Sequence, residues 1–61
     1  MPFIRISMYA GRPHQKKAEL ARKVTDATSE TLGIPKDYVQ IVFDEIPKHD
    51  WAVGGELPQP E

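Results

Sequence analysis

The hydrophobic period of this chain changes twice, and few folds accommodate that order. Residues Phe3-Ile4-Arg5-Ile6-Ser7-Met8-Tyr9 alternate, with Ile4, Ile6 and Met8 on one face and Phe3, Arg5, Ser7 and Tyr9 on the other. From about His14 to Leu32 the spacing becomes three and four. Leu20, Ala21, Val24, Ala27, Thr28, Thr31 and Leu32 then form one helical stripe. Period two returns over Tyr38 to Ile46, where Val39, Ile41 and Phe43 share one face and Tyr38, Gln40, Val42 and Asp44 the other. Strand, long helix, strand is a βαβ unit, an α/β (α+β) architecture. Such crossovers join parallel strands and are right-handed in nearly all cases.

The connecting residues agree with these periods. Ala10-Gly11-Arg12-Pro13 breaks the first strand, with Gly11 free to take an unusual φ and Pro13 suited to a helix start. Gly33 is a left-handed stop and Pro35 prevents continuation. The other helix side carries Lys16, Lys17, Glu19, Arg22, Lys23, Asp26 and Glu30, which read as a solvated face. Glu19–Lys23 and Arg22–Asp26 are i,i+4 pairs worth ~0.2–0.5 kcal/mol each. Pro47-Lys48-His49-Asp50 reads as a turn. Trp51-Ala52-Val53 and Gly54-Gly55-Glu56-Leu57 then make a short C-terminal hairpin. Residues 2–57 are expected to form one domain, followed by an extended, poorly ordered tail of Pro58, Gln59, Pro60 and Glu61.

Length makes this small unit insufficient by itself. A chain of 61 residues buries only ~60% of its unfolded surface and is marginal alone. There are no cysteines for a disulfide or thiolate site, and the two histidines, His14 and His49, lack ligand spacing, so no metal or cofactor is expected. A two-stranded parallel sheet with one helix also leaves faces and edges uncovered. The Val/Ile/Phe strand face and Trp51-Ala52-Val53 therefore predict contacts in a homo-oligomer. Eight Lys+Arg against nine Asp+Glu give a net charge of −1 without a basic run, so nucleic acid is not an expected partner. No apolar segment approaches the ~18 residues that span a bilayer, and no secretory signal pattern is present. The expected compartment is the cytoplasm.

Met1-Pro2 is the most chemically suggestive pair. Removal of Met1 would make Pro2 the N-terminus and its ring nitrogen a secondary amine. An α-amino group titrates near about 7.7–8.0, so burial or nearby cations would leave it neutral and basic at physiological pH.

Several features in order carry a family resemblance. They are Pro2 before the first strand, Gly11-Arg12 at the strand-to-helix turn, a helix of matching length, Pro35 before the second strand, and the ending Trp51-Ala52-Val53-Gly54-Gly55-Glu56-Leu57. Over residues 2 to about 57 the chain resembles the 4-oxalocrotonate tautomerase (2-hydroxymuconate tautomerase) family. The resemblance implies a βαβ subunit assembled as a hexamer, a trimer of dimers, with cofactor-free keto–enol isomerisation of an unsaturated 2-hydroxy or 2-oxo acid. Within aromatic catabolism, 2-hydroxymuconate is such an acid. It assigns Pro2 as catalytic base and Arg12 as the cation for the distal substrate carboxylate. Trp51 stands where phenylalanine is usual, as the aromatic wall that excludes water.

One position departs from the pattern. Gln40 stands where well-studied members carry a second arginine, and its amide cannot offer a guanidinium's bidentate, charge-assisted grip. Arg5 is the candidate to compensate, and Tyr9, where an aliphatic residue is usual, adds a hydroxyl donor to the pocket. The substrate-binding candidates are thus Arg12, Gln40, Trp51, Arg5 and Tyr9. His14, His49, Asp44, Glu45 and Asp50 read as surface groups. Two other functions compete with tautomerisation: hydration or dehalogenation of a small unsaturated acid, with Asp50 the acid beside Trp51, and a non-catalytic oligomeric βαβ protein.

Overall fold

A computed structural model describes residues 1–59; Pro60 and Glu61, the end of the expected tail, lie outside the described residues. Strand β1 (Phe3–Tyr9) pairs in parallel with strand β2 (Gln40–Ile46), from Phe3 opposite Gln40 to Tyr9 opposite Ile46. Helix α1 (His14–Leu32) joins them. The element order is therefore the expected βαβ.

Paired residues of a parallel ladder point to the same side. Ile4, Ile6, Met8, Ile41 and Phe43 are half-buried on one face, while Phe3, Arg5, Ser7, Gln40 and Val42 are exposed on the other. The Lys17 ammonium reaches the Glu45 carboxylate at 2.6 Å, which fixes α1 over the half-buried face. Lys17 thus leaves the solvated face on which helical periodicity had placed it. Glu19–Lys23 pairs as expected at 3.0 Å, and the adjacent ammonium holds the Glu19 carboxyl below its usual range. Asp26, however, pairs with Lys36 at 2.9 Å in place of Arg22. That contact ties the helix to the turn after Pro35.

Strand two begins two residues later than its alternation suggests. Pro35 starts a single 3₁₀ turn over Lys36–Tyr38, in which Tyr38 N–H donates to the Pro35 carbonyl at 3.1 Å and Val39 N–H to that of Lys36 at 3.0 Å. Ladder bonding starts where Gln40 N–H meets the Pro2 carbonyl at 3.1 Å. Tyr38 is therefore a turn residue, 50% exposed.

The helical stripe is wider than the sheet that receives it. Ala21, Val24 and Thr28 are half-buried, whereas Leu20, Ala27, Thr31 and Leu32 are exposed. Two strands ~4.8 Å apart present a ribbon narrower than a helix ~10 Å across. Among the described residues none is buried. The chain is a slab 13 Å thick with a radius of gyration of 14.7 Å, against ~10.5 Å for a compact chain of this length.

Gly33 caps α1 in the left-handed conformation, φ 67°, and its N–H and that of Ile34 both donate to the Ser29 carbonyl. A second 3₁₀ turn, Lys48–Asp50, follows β2. The hairpin is one antiparallel bridge, Val53 with Glu56, closed by Gly54 and Gly55 at φ 62° and 84°. Two positive φ values are what a tight two-residue hairpin turn requires. Among the described residues no helix is long and apolar enough to cross a membrane.

Candidate active site

Two clusters hold the residues to which the sequence points, at opposite ends of the parallel pair. At the start of the strands, the Pro2 carbonyl accepts from the Gln40 N–H at 3.1 Å, and Gln40 sits opposite Phe3. Pro2 is half-buried, and Met1 before it is 79% exposed. The ladder thereby anchors one side of Pro2 and leaves its nitrogen at the sheet edge.

At the far end the Tyr9 and Trp51 rings meet edge to face, with centroids 4.8 Å apart. The geometry is the one that aromatic quadrupoles favour. The Ala10 N–H donates to the Ile46 carbonyl at 2.9 Å, so the chain leaves both strands from one place. Gly11 at φ 117° then leads to Arg12, which is exposed. Among the described residues no carboxylate pairs with Arg12.

Arg5 lies between the clusters and is already engaged. Its Nε is 3.2 Å from Asp44 Oδ2, which also accepts from the Ser7 hydroxyl at 3.4 Å. Its guanidinium lies 5.9 Å from the Phe3 ring centroid. Arg5 thus pairs diagonally across the ladder with Asp44, and its guanidinium lies near the ring of Phe3, the residue opposite Gln40. Asp44 is accordingly an ion-pair partner on the sheet face, where isolated solvation had been expected.

From Pro2 to Tyr9 the strand advances ~20 Å or more. One chain therefore brings Pro2 to Gln40, and Tyr9 to Trp51 beside the Arg12 turn, but does not bring the two groups together. A pocket using both needs ends from different subunits.

Sequence reasoning passed over Lys48. Its ammonium lies 5.6 Å from the Tyr9 ring centroid, and its carbonyl accepts from the Trp51 N–H at 3.1 Å. The available signal was spacing: in a 3₁₀ turn, residues three apart stack on one side. Lys48 also lines an open depression of about 390 Å³ with His49, Pro58 and Gln59. Among the described residues no three His, Cys, Asp or Glu side chains gather as a metal site would require.

Comparison with known proteins agrees with this architecture. The family model described as "Tautomerase enzyme" matches residues 2–60. A "probable tautomerase" of Bacillus cereus is 41% identical over 56 residues, covering 92% of each chain. A solved 4-oxalocrotonate tautomerase homologue superposes with a TM-score of 0.87 at 37% identity, covering 93% of this chain and 90% of its own. A heterohexameric 4-oxalocrotonate tautomerase from Chloroflexus aurantiacus gives 0.87 at 37% identity, covering 93% and 92%. Order of elements, parallel register and near-complete coverage all lead to one assignment: the chain belongs to the tautomerase family.

Proposed function

We propose that the chain is a cofactor-independent tautomerase acting on a 2-hydroxydienoate or 2-oxo acid, with residues 2–57 as its working domain and Pro2 as general base once Met1 is removed. The observation that carries this reading is the position of Pro2. Its carbonyl is held by Gln40, so the ring nitrogen would be presented from a rigid ladder and not from a frayed end. The secondary amine takes the 2-hydroxyl proton as the dienol electrons shift, and delivers it to C5. One O–H bond breaks and one C–H bond forms, with no net redox change. Arg12 binds a substrate carboxylate, Trp51 and Tyr9 exclude water, and the Gln40 amide donates to the developing 2-oxo oxygen.

The separation of the two clusters supports a shared site, and hence a homo-oligomer, with the trimer of dimers as its form. The test is a ketonisation assay with 2-hydroxymuconate and with phenylenolpyruvate on protein whose intact mass shows Met1 removed. Pro2→Ala should lower kcat by at least about a hundredfold, within the usual range for general base removal. Full activity in protein retaining Met1 would refute the mechanism.

A further inference from the structure

Positive charge is unevenly placed along this molecule. On the exposed sheet face Arg5 is neutralised by Asp44, and the start of β2 carries the uncharged Gln40. At the other end the Lys48 ammonium lies over the Tyr9 ring, and Arg12 follows Tyr9 by three residues in the turn. Arg12 lies two residues past Ala10, and Lys48 two residues past Ile46, the two partners of the closing hydrogen bond. Neither cation has a carboxylate partner among the described residues.

We propose that Lys48, seated over the Tyr9 ring, is a second cation of the carboxylate subsite to which Arg12 belongs, so that this end reads a substrate carboxylate with two charges. This deepens the tautomerase reading and rests on it for the identity of the substrate. An ammonium over an aromatic face is attracted by the ring quadrupole and held near the apolar surface. It then loses less freedom on meeting an anion than a lysine projecting into water. As a compact charge with rotatable donors it accepts carboxylates in varied orientations, whereas a guanidinium prefers a coplanar one.

Trp51 is the single tryptophan, so its fluorescence reports on this subsite without turnover. The probe is adipate, a saturated dicarboxylate that cannot be isomerised, titrated into the wild type, Lys48→Gln, Lys48→Arg and Pro2→Ala. Lys48→Gln should raise the Kd about tenfold, as loss of a charge-assisted contact does. Lys48→Arg should restore it to within about threefold, since the positive charge is kept. Added salt should weaken the wild type more than Lys48→Gln. An unchanged Kd in Lys48→Gln overturns the proposal, and so does a lowered melting temperature with the Kd intact, which would make the lysine a cap on the rings. Absence of any adipate response in the wild type also overturns it. Pro2→Ala should bind like the wild type while losing turnover. If the wild type itself turns nothing over but adipate binding still depends on Lys48, the base assignment fails and the carboxylate subsite stands.

Discussion

At position 40 the backbone and the side chain answer to different demands. The Gln40 N–H is committed to Pro2, and any residue except proline could donate there. Its side chain is exposed and can be exchanged without disturbing the ladder. Gln40→Arg is therefore expected to raise kcat/KM for 2-hydroxymuconate at least about tenfold, because a guanidinium can grip the carboxylate beside the 2-oxo group. Phenylenolpyruvate turnover should change by less than about threefold, since the gain depends on matching the diacid. Steady-state kinetics with both substrates decide this, and an unchanged diacid rate would show that position 40 does not hold that carboxylate. Pro2, Arg12 and Gln40 could be singled out from the sequence because the chemistry proposed for them depends on residue type and place in the chain. Lys48 and the Arg5–Asp44 pair could not. Lys48 meets the Tyr9 ring only once the two strands are paired, and Arg5 meets Asp44 only once the ladder register sets Arg5 opposite Val42.

Elements show the same division. Hydrophobic period located both strands and the helix, since one-sided burial imposes a repeat of 2 or 3.6. It misplaced the start of β2, because alternation in Tyr38 and Val39 carries no information about where the partner strand begins. Pro2 supplies the first carbonyl, and the 3₁₀ turn occupies the residues before it. The helix end was clearer, since Gly33 adopts φ 67°. A Cβ there meets nothing within 4 Å, so the cost of substitution is backbone strain alone. Gly33→Ala should destabilise by ~1 kcal/mol, lowering the melting temperature by about 4–8 °C for a domain of this size. Thermal unfolding at matched protein concentration tests this, because assembly would make the midpoint concentration-dependent.

At the scale of the molecule, the accessible surface is 4876 Å², roughly 900 Å² above the ~4000 Å² expected for a compact monomer of this mass. The excess is comparable to the ~800 Å² each partner contributes to an ordinary interface. Phe3 at 57%, Leu32 at 59%, Val42 at 36% and Val53 at 67% exposure are apolar side chains that it would cover. Length and topology led to the expectation of partners, and the oligomeric state named for a relative fits it. Which faces meet was not readable, because a single chain records its own contacts and not those of its neighbours.

The length of β1 also has a genetic meaning. If one subunit supplies Pro2 and another supplies Arg12, two damaged copies can repair each other. Pro2→Ala and Arg12→Ala proteins, each inactive alone, would regain activity when unfolded together and reassembled. Random association would leave about a quarter of the sites with both residues intact. Two defective alleles expressed in one cell should then complement, whereas separately assembled oligomers mixed without exchange should stay inactive. Failure to recover activity after co-refolding would place both residues in one subunit's pocket. If the proposed site is shared in this way, the catalytic unit is a property of the population of chains.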